Sequence, residues 1–121
     1  MIVRAPELHD GHLTCIALGD GAVVVSCRTS NGQPVTIRGQ QLEMLDASAF
    51  REGNVIFEVR LSRAGEDINA SAMSRLYYGN AEGIENGRAI LRNGGSLLEI
   101  DSSWGCTLVC LCSGPVTLIA G

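Results

Sequence analysis

Two histidines and an aspartate flank a glycine in His9-Asp10-Gly11-His12, the side chains that a metal centre or a general acid–base pair would use. Their spacing limits that reading. Histidines three apart share a metal readily on a helix, but Gly11 and the strand-like HLTCIAL that follows place this pair on a loop entering a strand. A zinc site also needs one or two further ligands, and nothing in the spacing of the other Cys, Asp and Glu residues points to them. The expectation is a turn, with Asp10 capping or bending the backbone, His9 and His12 as loop residues, and neither metal nor cofactor. A small hydrolase-like or metal-binding enzyme built on His9, Asp10 and His12 is the alternative.

Five cysteines stand at positions 15, 27, 106, 110 and 112. At about 3.3 Å per residue in a strand, Cys106 and Cys110 lie about 13 Å apart, too far to share an ion. Cys110 and Cys112 are about 6.6 Å apart along the strand, near the outer limit for a disulfide. All three share a face with Leu108, as expected of small apolar core residues. No G-x-S-x-G elbow is present, and no turn presents a thiol beside a helix N-terminus. The chain is therefore expected to be non-enzymatic.

Charge narrows the class of partner. Nine basic against 13 acidic residues leave a net charge of −4, and all nine basic residues are arginine, with no basic cluster. Without a positive patch to displace counterions from phosphate, a nucleic-acid partner is disfavoured; a basic or neutral protein suits the charge better. The start MIVRAPELHD has no signal-like apolar stretch, and no run approaches the roughly 18 apolar residues of a membrane span. A cytoplasmic location off the membrane is expected, where Asn69-Ala70-Ser71, a sequon only in secreted chains, carries no meaning.

The elements that would position these residues are mostly strands. With 121 residues the chain has the size of one domain, 1–121. HLTCIAL and AVVVSCR flank Gly19-Asp20-Gly21, a tight hairpin signal, and VTIR at 35–38 adds a third strand after the turn residues 31–34. At 54–62, Val55, Phe57, Val59 and Leu61 alternate with Ile56, Glu58, Arg60 and Ser62, which predicts a half-buried strand. In 40–50 the spacing of Leu42, Leu45 and Ala49 predicts a short helical turn near 46–50. INASAMSRLYY predicts a helix capped by Asp67, with Ile68, Ala72 and Leu76 on one face and Gly79 at its end. After a loop rich in Gly and Asn, RAILR and SLLEID flank Asn93-Gly94-Gly95 as a second hairpin. WGCTLVCLC, apolar on both faces, predicts a central strand, and PVTLIA an edge strand. The sum is an α+β, mainly β fold: an antiparallel sheet or rolled sandwich of about seven or eight strands with one or two short helices.

Recognition is expected at the strand ends. Phe50-Arg51-Glu52-Gly53-Asn54 puts a polar cluster at the turn into the alternating strand, and Tyr77, Tyr78 and Trp104 are three of only five aromatics. Arg51, Glu52, Tyr77, Tyr78 and Trp104 are the candidate partner-binding residues; His9, Asp10, His12 and Asn54 form a loop cluster beside them.

The order of LHDGHLTCIAL, a glycine-hinged hairpin, ASAFREGNVIFEV and LLEIDSSWGCTLVCLC resembles a group of small uncharacterised bacterial proteins with Leu-His-Asp and Phe-x-x-Gly-Asn motifs. The matching positions are Leu8, His9 and Asp10, then Phe50, Gly53 and Asn54, then Ser103, Trp104 and Gly105. Small acidic bacterial domains of this kind include immunity-type proteins, which neutralise a toxin by binding it. The resemblance thus implies a toxin as protein partner, and the net charge of −4 a basic one; a second copy of the chain, in a homodimer, is the other candidate partner. The resemblance also implies that LHD, FREGN and SSWG cluster in the fold.

Overall fold

The computed structural model describes residues 3, 4, 6–63 and 70–120. It is mainly β: strands β1 (Val3–Arg4), β2 (His12–Gly19), β3 (Ala22–Arg28), β4 (Pro34–Gly39), β5 (Leu42–Ser48), β6 (Asn54–Arg63), β7 (Ser96–Trp104), β8 (Thr107–Cys112) and β9 (Val116–Ala120), with helices α1 (Ala70–Tyr77) and α2 (Ala81–Arg92) between β6 and β7. The strands form one antiparallel sheet in the order β5-β8-β7-β6-β2-β3-β4-β9, and β1 adds to β6. Asp20 (φ 54°) and Gly21 (φ 71°) supply the two positive dihedrals that the β2–β3 turn needs, as the Asp-Gly step predicts.

The sheet rolls because two long segments bend together. Val35 to Gly39 pair with Ala120 to Val116, and Leu42 to Ser48 pair with Cys112 to Thr107. Between these ladders the corner keeps its bonds: Gln40 N–H donates to Pro115 O at 3.0 Å, Gly114 N–H to Gln40 O at 3.1 Å, and Ser113 N–H to Gln41 O at 2.9 Å. A Cβ at Gly114 would sit 2.8 Å from the Gln40 carbonyl oxygen, so the bend requires a residue without a side chain there. β5 thereby leaves the β3–β4 face and joins β8.

Two cores follow from this roll. Its interior holds Val23, Val25 and Cys27 of β3, Val35 and Ile37 of β4, and Leu98, Ile100, Leu108, Cys110 and Cys112 of β7 and β8. On the outer face Leu97, Val109 and Leu111 pack against Ala72, Met73, Leu76 and Leu91 of the helices. Helices on one face and core on the other explain why β8 is apolar on both faces from Leu108 to Cys112.

Three expectations are corrected. Residues 42–48 are a strand, not a run into a helical turn at 46–50; β5 borders both the core and α1, so its strand alternation is lost. RAILR is the last part of α2, and Asn93-Gly94-Gly95 is the exit from that helix, with Gly94 N–H bonded to Leu91 O at 3.2 Å and Gly95 N–H to Ile90 O at 2.9 Å. In β6, register shifts on either side of Ile56 turn Ile56 inward and throw Phe57 out, while Val59 and Leu61 stay buried. Asp67 and Ile68 lie outside the described residues, whereas α1 ends as expected at Gly79, whose N–H bonds Ser74 O at 2.9 Å.

Candidate interaction surface at the strand mouth

FREGN and the turn after SSWG meet at one end of the roll, and Asn54, through its side chain, ties them to the start of β2. Its side chain is 1% exposed. Oδ1 accepts from Arg51 N–H and from Cys106 N–H, both at 2.9 Å, and Nδ2 donates to Leu13 O at 3.1 Å. One amide thus joins the turn before β6, the turn between β7 and β8, and the start of β2, with its polar atoms satisfied. Gly105 lies against it so closely that a Cβ would collide with Oδ1. Asn54 is therefore an architectural latch under the surface and not a contact residue.

The LHD segment docks by its backbone. A 3-10 turn (Pro6–Leu8) leads to Asp10, whose φ of 61° turns the chain; Asp10 N–H donates to Ile56 O at 2.9 Å, and Gly11 O accepts from Ile56 N–H at 2.9 Å. A Cβ on Gly11 would run into the Arg28 carbonyl, so the glycine of His-Asp-Gly-His serves a close approach of strands. His9 Nδ1 lies 2.7 Å from Phe57 O; a carbonyl only accepts, so Nδ1 carries the proton. The ring stands edge-on to Phe57 with centroids 5.6 Å apart, and Nε2 is 3.6 Å from the exposed Asp10 carboxylate. His12 lies elsewhere, on the wall of a groove with Arg28 and Phe50. Among the described residues, no group of three or more His, Cys, Asp and Glu side chains is placed to hold a metal ion.

Beside the latch lies an exposed pair, Arg51 and Trp104. Arg51 places its guanidinium carbon 4.9 Å from the centre of the Trp104 ring, a cation–π contact that presents both together. Phe50, Phe57, Trp104 and Tyr78 are 48%, 52%, 58% and 92% exposed. Phe50, Arg51 and Glu52 border the groove of about 570 Å³ that His12 also lines. Tyr77 is half-buried, its ring packed on the backbone of α2 at Gly83 and Gly87; burial, then the Glu43 carboxylate, push its hydroxyl above the usual pKa. Tyr78 stands at the turn between the helices with φ 52°.

Sequence reasoning missed Phe57, because a strand bulge is invisible in an apolar alternation, and it named Phe50 only as a motif position. The thiols divide. Cys27, Cys106, Cys110 and Cys112 are buried, while Cys15 is exposed on β2, where a register shift between Leu13 and Cys15 turns it out of the core. Burial pushes Cys27 up to about 12, and a hydrogen bond with Cys112, together with burial, pushes Cys110 well up. Thiols held neutral in this way are inert packing groups.

Comparison with protein-family models, with curated proteins and with solved structures finds no match to this chain. No helix among the described residues is long and apolar enough to cross a membrane.

Proposed function

We propose that this chain is a non-enzymatic protein-binding module whose contact surface is the strand mouth, with Trp104, Arg51 and Glu52 at its centre, Phe50 and Phe57 beside them, and Tyr78 as a further exposed anchor. One observation carries the reading: four of the five aromatic side chains lie on the surface, while the roll is filled with aliphatic residues and cysteine. Large rings normally compete for the core, and exposed Trp and Tyr beside Arg are the side chains that supply most of the energy in protein interfaces. The Asn54 latch holds this surface rigid, so little ordering is needed on binding.

A net charge of −4 favours an electropositive partner, and neutralisation of a basic toxin is the form of binding that fits a small acidic bacterial domain. The His9–Asp10–His12 alternative has less support, since His9 is engaged with the Phe57 carbonyl and His12 borders a different part of the surface. The test is affinity capture of partners from the native host with the intact chain, with Trp104→Ala and with Arg51→Ala, accompanied by size-exclusion chromatography of the purified protein. The reading expects a protein partner retained by the intact chain and lost by Trp104→Ala. A partner held equally by all three would overturn it, and a Trp104-dependent dimer would establish the homodimer instead.

A further inference from the structure

The β2 edge beside this surface has an unusual pairing. β2 bonds β3 along its length, but it bonds β6 only at His12 and Leu13, opposite Val55 and Asn54. From Thr14 onward no strand among the described residues occupies its other side. At that point β2 bulges, and Thr14 Oγ1 donates to Ser26 O at 3.0 Å, which holds the bulge toward β3. Thr14, Cys15, Ala17 and Leu18 are exposed and Ile16 is half-buried, so the strand is open on both faces as well as along its edge.

Two depressions run along the same edge. The groove of about 570 Å³ is bordered by His12, Thr14, Arg28, Phe50, Arg51 and Glu52 among others; the second, of about 270 Å³, by Thr14, Cys15, Ile16 and Phe50. Thr14 and Phe50 belong to both, so the two form one track with Phe50 on its flank. LTCIALG carries no charge over residues 13–19. The His12 end is bordered by two arginines, Arg28 and Arg51, and one acidic residue, Glu52, a locally cationic end in an acidic protein.

We propose that the free edge of β2, residues 14–18, takes an extended segment of the partner as an added antiparallel or parallel strand, with apolar side chains at alternate positions against Ile16 and Phe50 and a carboxylate at the Arg28–Arg51 end. This deepens the protein-binding reading and rests on it. Unpaired backbone selects for a strand, because only a strand matches its donors and acceptors at about 4.8 Å spacing. The period of the strand then brings every second side chain to the track, and the arginines choose the sign of charge at one end. Edge strands are normally blunted by lysine, proline, bulges or covering structure; β2 bulges only at its start, and beyond the bulge residues 15–19 carry no lysine or proline and pair with no second strand among the described residues.

The test is selection of displayed random linear peptides on the full chain, followed by affinity measurement of the enriched peptides made synthetically. The expected result is enrichment of sequences with alternating apolar residues and an acidic residue, and slowed amide hydrogen exchange at residues 14–18 on binding. N-methylation of alternate peptide amides, which removes ladder donors but keeps the side chains, should weaken binding about tenfold or more, as should Cys15→Lys and Phe50→Ala, both at exposed positions. Arg92→Ala, on α2 and away from both depressions, should change peptide affinity less than about twofold. Failure to enrich any peptide, or binding indifferent to N-methylation, overturns the edge. Peptides lost with Trp104→Ala but not with Cys15→Lys overturn the edge and leave the broader reading standing, and a self-associating chain dispersed by Cys15→Lys would show a second copy in the peptide's place.

Discussion

Asn54 shows how much one side chain can hold. Its amide is the partner of two backbone N–H groups and one carbonyl that lie up to 52 positions from it along the chain. Asn54→Ala orphans those groups at a buried site, where each costs about 1 kcal/mol or more. A loss near 3 kcal/mol in urea unfolding is expected, together with a changed Trp104 emission, because Trp104 directly precedes the Gly105 turn that the amide fixes. Unchanged stability would mean that water replaces the amide. Cys27 gives a pH-dependent expectation. Its folded pKa is raised from 9.0 to about 12, so burial of the neutral thiol contributes fully below about pH 9 and is lost as pH rises toward 12, at about 1.4 kcal/mol per pH unit for a single group. Alkaline titration of stability should show this decline, and Cys27→Ala, less stable at neutral pH, should show a shallower one.

At the scale of elements, the helical layer turns on small residues. α2 begins where Asn80 Oδ1 caps the Gly83 N–H at 2.8 Å, and it carries Gly83 and Gly87 on the side that receives Tyr77. A Cβ at Gly83 would lie 2.7 Å from Tyr77 Cδ1, and one at Gly87 2.6 Å from Met73 Cε. Helix propensity alone favours alanine by about 1 kcal/mol, yet the rigid tyrosine ring beside Gly83 cannot yield without shifting α1. Gly83→Ala is therefore expected to destabilise by about 1–2 kcal/mol, readable by thermal denaturation; a stabilised variant would show that the ring moves freely. The same glycines explain what the sequence concealed. They made the stretch before RAILR look like a loop and left RAILR to read as one arm of a hairpin, and only tertiary packing onto Tyr77 justifies them. The β2–β3 hairpin, β4, β7, β8 and β9 were legible because turn chemistry and apolar periodicity are local. β5 was not, since a strand with neighbours on both faces loses its alternation, and the Phe57 bulge in β6 left no local mark. Of the candidate surface, Arg51, Glu52, Tyr78 and Trp104 were legible as exposed polar or aromatic residues near turns, whereas Asn54 belongs beneath it for reasons of hydrogen bonding across distant strands.

At the scale of the whole molecule, the roll leaves apolar edges uncovered. Among the described residues β9 pairs only with β4, and its Leu118 and Ile119 are exposed beside an uncharged sequence, PVTLIAG. A chain with no lysine has not used the commonest device for protecting such an edge. Ile119→Lys should leave folding stability within about 0.5 kcal/mol, as exposed substitutions do, while lowering concentration-dependent association in light scattering. Equal association of both proteins would show that this edge is not where copies meet.

The bent ladder has a consequence for synthesis. Among the described residues β5 has β8 as its only strand partner, and the far side of β4 is filled only by β9, so residues 34–48 wait for residues 107–120. A nascent chain emerging from the ribosome holds β4 and β5 without their closing ladders until residues 107–120 have followed. Such distant pairing is slow, on the millisecond to second scale, and during that interval the uncapped β-rich segment is open to chaperones and to neighbouring chains.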